Sequence, residues 1–178
     1  MKDFSFREFR PTIFFLVKFV GFYLVGNIVY GLYVSAFTPR PDPLTHLVSE
    51  QSALVLTALG FDQLEVIDDI RKPNTLIVHD GRSVLSIYEG CNGLNTMVMF
   101  MAFVFAFGPV SRTLLWFVPA GLAIIHVANL ARISLLFYVA EFIPQYMYFT
   151  HKYFFTAALY AVIFILWVVW VKRYALKK

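Results

Sequence analysis

The residues of this chain that are capable of chemistry stand where long apolar runs begin or are interrupted. Cys91, the single cysteine, lies in Glu89-Gly90-Cys91-Asn92-Gly93, where a polar stretch gives way to an apolar one. His126, Asn129 and Arg132 follow at i, i+3 and i+6 inside a later apolar run, which spreads them over one helical face. His151 opens the last run. A free thiol near neutral pH is only a few per cent thiolate, and both a helix N-terminus and a guanidinium favour the anion. Cys91 stands at the start of one helix, and Arg132 offers the guanidinium. His151 can take the thiol proton and return it to a leaving amine. Arg132 either activates the thiol or holds an oxyanion, and both roles stay open at this level.

Each residue alone has a plainer reading. A buried cysteine is usually inert. Arginine near a membrane surface can snorkel to headgroups, and His151 stands among the interfacial aromatics Tyr146, Tyr148, Phe149 and Tyr153. Their convergence on one depth is what gives the chemical reading its weight, and that depth follows from the elements carrying them.

Hydrophobic residues make up 60% of the 178, against 15% charged, so one soluble core cannot hide the apolar surface and lipid must serve as solvent. The expected fold class is all-α integral membrane, one domain over residues 1–178, with about four transmembrane helices at 13–37, 94–107, 114–139 and 153–171. The net charge of +4 does not imply nucleic acid, because the basic residues fall mainly at the chain ends and in short connections. Lys2, Arg7 and Arg10 precede the first span, Arg112 lies in the 109–113 turn, and Lys172, Arg173, Lys177 and Lys178 close the chain. Both termini and that turn are therefore expected on the cytoplasmic side. The first apolar run is too long for a signal peptide. Arg132 then lies about 27 Å from the start of its helix, near the outer surface, level with Cys91 and His151. An arginine there, penalised by roughly 2.5 to 3.5 kcal/mol at a helix centre and less toward the interface, calls for a partner or a function.

The connection 38–91 reads as an ordered extracytoplasmic α+β insertion. Leu47, Leu54 and Ala58 have helical spacing within 44–59, with Gly60 as its C-cap. Short β-rich runs at 64–70, 75–78 and 83–88, separated by Lys72-Pro73-Asn74 and Asp80-Gly81, predict an antiparallel meander running into Glu89 and Cys91. His46, His79, His126 and His151 lack ligand-type spacing, so no metal and no cofactor is expected.

A strand entering Glu89-Gly90-Cys91-Asn92-Gly93-Leu94, then Asn129-Leu130-Ala131-Arg132-Ile133 on a later helix, then His151, resembles the exosortase/archaeosortase family, most closely its short exosortase F type. The resemblance covers roughly residues 60–170 and implies a membrane-embedded cysteine protease or transpeptidase of the cell membrane. Such an enzyme cleaves a C-terminal sorting signal (a short motif, a membrane helix and a basic tail) on the outer face and passes the acyl product to an acceptor. Carried over, Cys91 matches the nucleophile, Arg132 the arginine and His151 the histidine, with Asn129, His126, Asn92 and Glu89 in support. Family members commonly have serine where this chain has Asn92. The partners implied are membrane-anchored substrates and the bilayer.

The competing expectation is a non-catalytic scaffold or assembly subunit in which Arg132 pairs with Glu89 or Glu141 and Cys91 merely packs. A small transporter fits less well, since a single run carries a polar stripe and no broken helix is evident.

Overall fold

The computed structural model describes residues 6–108 and 112–175, with side-chain surroundings for 9–108 and 112–173. Lys2, Lys177, Lys178 and residues 109–111 of the turn used to orient the chain lie outside the described residues.

The chain is mostly helical. Helix α1 runs Phe6–Ser35 and α2 Pro43–Ala58; β1 (Leu64–Asp68), β2 (Asn74–His79) and β3 (Arg82–Tyr88) follow. A 3₁₀ turn, Glu89–Cys91, leads to α3 (Leu94–Ala106) and then α4 (Leu114–Phe142). The last helical run starts as a 3₁₀ turn at Pro144–Tyr146 and passes through the single turn α5 (Met147–Phe149) and a π turn (Thr150–Phe154) into α6 (Phe155–Trp170).

Among the described residues, three stretches are long and apolar enough to cross a membrane: Phe9–Ser35, Leu114–Phe142 and Pro144–Arg173. The second expected span is shorter. Its 13 helical residues extend about 20 Å at 1.5 Å each, less than the roughly 30 Å of hydrocarbon. Gly93 is what stops it growing outward, since its φ of 85° ends the helical path one residue before Leu94. The last run differs in the other direction. Pro144 starts it nine residues before the expected 153, so His151 sits inside helical structure, in a π turn, instead of heading the helix. Such turns widen a helix by one residue and recur at functional sites.

The insertion folds by local rules. Asp42 caps α2 by accepting from the Leu44 and Thr45 N–H groups. The helix closes in a Schellman arrangement, with Gly60 N–H bonding Thr57 O and Phe61 N–H bonding Leu56 O, and Gly60 at φ 96°. The strands form one antiparallel sheet in the order β1-β2-β3. Asp80 (φ 50°) and Gly81 (φ 74°) make the tight turn between β2 and β3, with the positive φ values that a two-residue hairpin requires.

The inward face of α2 is built mostly from small and polar residues. Leu47 and Leu54 are exposed, while Thr45, Val48, Ser49, Ser52 and Leu56 are buried. Ser49 and Ser52 satisfy their hydroxyls on carbonyls one turn back, Thr45 O and Val48 O. Small residues let α2 pack against α4 and leave Leu47 and Leu54 outward.

Packing divides into two clusters. One joins sheet, α2, α4 and α6 through Leu56, Ile77, Ile87, Ile133, Phe137 and Phe155, with Cys91 among them. The other fills the opposite end with Phe100, Phe117, Ile125, Ile163 and Trp170. There α3 meets α4 at Gly121, where an added Cβ would overlap the Phe100 ring. α1 lies against α3, with Phe15 edge-on to Phe103 and Phe107.

Candidate active site

Cys91 is buried at the end of the 3₁₀ turn that β3 feeds. Its sulfur lies 3.6 Å from His151 Nε2. The Arg132 guanidinium and the Tyr88 hydroxyl also face the sulfur, as does the Tyr88 backbone N–H. Residues 60 apart in sequence thus meet on one cavity of about 380 Å³, bounded by β3, α4 and the π turn.

Three elements hold this geometry. Asn129, fully buried on α4, donates from Nδ2 to the Cys91 carbonyl at 3.0 Å, and its Oδ1 accepts from Arg132 Nη1 at 3.4 Å. One amide therefore fixes both the thiol-bearing backbone and the arginine. Gly93 allows that approach, because a Cβ there would come within 3.1 Å of the Asn129 amide. Asn92 anchors the far side of the turn. It is 1% exposed, donates to Tyr30 Oη and Thr45 Oγ1 at 3.1 Å each, and accepts from Leu94 N–H at 2.9 Å. Tyr30 in turn donates to the Glu89 carbonyl at 2.7 Å. Buried polar side chains from α1, α2 and α4 thus converge on five residues of backbone and leave that turn little freedom.

Burial pushes the Cys91 thiol above its ordinary range, and the Arg132 guanidinium and Tyr88 oppose that shift without cancelling it. The resting sulfur is accordingly a thiol, not a preformed thiolate. Of the N–H groups at the start of α3, that of Leu94 is taken by the Asn92 side chain and not by the sulfur. The Tyr88 hydroxyl is itself pushed up, first by the neighbouring thiolate it would face and then by burial. A proton is therefore held at this sulfur until a base removes it, and His151 Nε2 is the nearest base.

The other expected supporting residues have different places. His126 does not reach the cavity; its Nε2 meets Gln51 Oε1 of α2 at 2.8 Å and ties two helices together. Glu89 contributes its carbonyl to Tyr30. The ion pairs that a scaffold reading needs are absent: among the described residues Arg132 makes no salt bridge, and Glu141 meets Arg82 at 3.2 Å and His79 at 3.4 Å. Instead Arg132 keeps a buried Nε without a partner and borders a second, apolar groove with Ala158 and Phe154 of the last helical run.

Tyr88, Tyr30, Thr45 and Asp42 were not singled out from the sequence. Tyr88 is three residues from the thiol in an exposed strand position, and alternation along β3 alone cannot show that it bends back over Gly90. Tyr30 and Thr45 carry no spacing signal, since their partner Asn92 is 62 and 47 residues away.

A membrane-spanning helical protein with thiol and imidazole on one cavity and a guanidinium facing the sulfur from beside it is the class these features define. The transmembrane exosortase family model matches residues 10–168, and the chain belongs to that family. No curated protein and no solved structure matches it.

Proposed function

We propose that this protein is a cysteine protease or transpeptidase that cleaves a C-terminal sorting signal at the outer face of the cell membrane, most like the short exosortase F type. Membership of the family supports a processing role. The observation that carries the reading to particular residues is the 3.6 Å approach of His151 Nε2 to the Cys91 sulfur beside the Arg132 guanidinium.

In this mechanism His151 removes the thiol proton, and the sulfur attacks the carbonyl carbon of the scissile amide. Arg132 stabilises the oxygen as it becomes anionic, a task for which a fixed, permanently charged donor is suited. His151 then delivers the proton to the leaving amine, which departs with the substrate's membrane helix, and the acyl group remains on sulfur as a thioester. Attack by water or an acceptor amine releases it and returns the proton to sulfur through His151. Because burial keeps the thiol protonated until the base acts, the sulfur is shielded from unproductive reaction between turnovers. A substrate anchored by its own helix presents the bond at a set depth, which raises effective concentration.

In this reading α3 is a fourth, short span, the whole chain is one membrane domain, and both termini face the cytoplasm. Asn129 and Asn92 position the thiol. The test is co-expression with a protein ending in a membrane helix and basic tail. Wild-type chain should trim it, whereas Cys91→Ala, present at equal level in the membrane, should not. Unchanged trimming by Cys91→Ala would overturn the enzyme reading.

A further inference from the structure

The cavity at Cys91 has an unusual wall. Leu85, Ser86, Ile87 and Tyr88, four consecutive residues of β3, all border it. A groove lying on one face of a sheet touches alternate residues, because successive side chains point to opposite faces. Contact with four in a row means that the groove runs along the strand's edge. That edge is free: β3 pairs with β2 on one side, and among the described residues no strand lies on the other.

The hydrogen-bond phase identifies which backbone groups face the groove. The Asn74 carbonyl accepts from Asp69 N–H at 2.9 Å, so Asn74 turns its peptide groups toward β1. Its successor Thr75 therefore turns toward β3, where it pairs with Ile87, as Ile77 does with Leu85. Ser86 and Tyr88 then direct their N–H and C=O away from β2. Tyr88 fits this phase, since its N–H reaches the Cys91 sulfur. Ser86 is left with a donor and an acceptor that no other described backbone group engages outside the sheet.

We propose that the substrate binds as an extended peptide which adds a fourth strand to the free edge of β3, pairing with the backbone of Ser86 and presenting its scissile carbonyl to Cys91. The proposal rests on the peptidase reading above and adds how the peptide is held. An unpaired edge backbone is the complement of another extended chain and of little else. The span from Ser86 to Tyr88 is about 7 Å, two residues of strand, so Ser86 meets the residue two positions before the one that carries the scissile carbonyl. One side of the added strand packs on Ile133, Leu136 and Met147, and Lys152 and Tyr148 line the mouth. At about 380 Å³ the cavity falls within the range of small-ligand sites, large enough for a short peptide. Backbone pairing would accept varied side chains and require an extended segment with a backbone N–H at the residue that meets Ser86.

The test uses acetyl-Ala-Ala-Ala chloromethyl ketone on the purified full-length chain in detergent, with alkylation of the lone cysteine read by mass spectrometry. Two analogues, N-methylated at the first or at the middle alanine, report the two phases of the strand. Saturable alkylation is expected, about tenfold slower for the first-alanine analogue and within twofold for the middle one. Equal effects, the reverse order, or no saturation would overturn the proposal. Ser86→Pro removes the same donor on the enzyme side without touching the β2 ladder, whereas Ser86→Ala retains it. Both variants lose the bond from Asn74 Nδ2 to the Ser86 hydroxyl, so trimming of a sorting-tailed protein should fall about tenfold further in the first than in the second. Normal trimming by Ser86→Pro would refute strand addition while leaving the peptidase intact. Wild-type chain that alkylates in the expected pattern yet trims nothing would refute the peptidase and leave the groove.

Discussion

Asn129→Ala removes one side chain that serves two masters, and its effect can be worked from the geometry. The lost Nδ2 donor leaves the Cys91 carbonyl, bonded at 3.0 Å in a buried site, without its partner. Leaving a buried acceptor unsatisfied costs about 1 to 3 kcal/mol. The second contact, from Arg132 at 3.4 Å, is long and adds little on its own, but its loss frees the guanidinium to rotate. If the whole cost falls on the transition state, kcat for tail trimming drops by about 5- to 150-fold, at a factor of ten per 1.4 kcal/mol. On the proposed binding mode the substrate meets β3 and not Asn129, so KM should change little. If the turn instead relaxes, the same energy appears as lower thermal stability. The assay therefore pairs trimming kinetics with thermal unfolding in detergent. Asn129→Asp, which keeps an oxygen for Arg132 but has no amide donor for the carbonyl, should be impaired as well. Trimming within twofold of wild type together with unchanged unfolding in Asn129→Ala would refute the idea that this amide holds the thiol in place.

Arg132→Lys retains charge but not the planar fork and should lose most trimming, while Arg132→Gln, which withdraws the cation opposing burial, should move the pH profile of Cys91 alkylation upward; an unmoved profile would remove arginine from the sulfur's surroundings. Gly93→Ala forces a side chain into φ 85° and against Asn129, at about 1 to 2 kcal/mol of backbone strain, so thermal unfolding should come earlier and Cys91 alkylation should change with it. His46 on α2 is raised chiefly by its hydrogen bond to Asp68 of β1 at 2.8 Å. A raised folded value means that its stabilisation is complete below the ordinary histidine range near 6.5 and is lost as pH rises through the folded value. Unfolding monitored across pH 5 to 8 should show a small loss at the upper end that Asp68→Asn reduces, with Glu50 still 3.3 Å from the ring, small because both groups of the His46–Asp68 pair are substantially exposed.

Local chemistry made much of the fold legible. Apolar runs of membrane length announced α1, α4 and the last helical run, and turn residues such as Gly60 and Asp80-Gly81 marked the ends of α2 and the hairpin, since positive φ is written into glycine and its neighbours. Helical spacing located α2 but not its inward face, since Leu47 and Leu54 are exposed while Thr45, Ser49 and Ser52 are buried. Start points also slipped: Pro144 begins the last run early and a π turn absorbs His151, both consequences of packing that no hydropathy window detects.

For the site, residue type and depth were enough to select Cys91, Arg132 and His151, because a thiol, a charge and an imidazole are each costly or unusual at a membrane border. Which groups touch them was decided in three dimensions. Tyr88 reaches the sulfur because β3 ends in a 3₁₀ turn that folds the chain back, and His126 is drawn off to Gln51 although it shares a helix with Asn129. The protonation of the thiol was likewise a tertiary outcome. Type and sequence position argued for a thiolate, but desolvation depends on how many neighbours exclude water, and burial outweighs the nearby cation. A one-dimensional pattern carries the identity of the candidate groups, while their distances and solvation arise from contacts between segments far apart in sequence, 38 residues for Cys91 and Asn129 and 60 for Cys91 and His151.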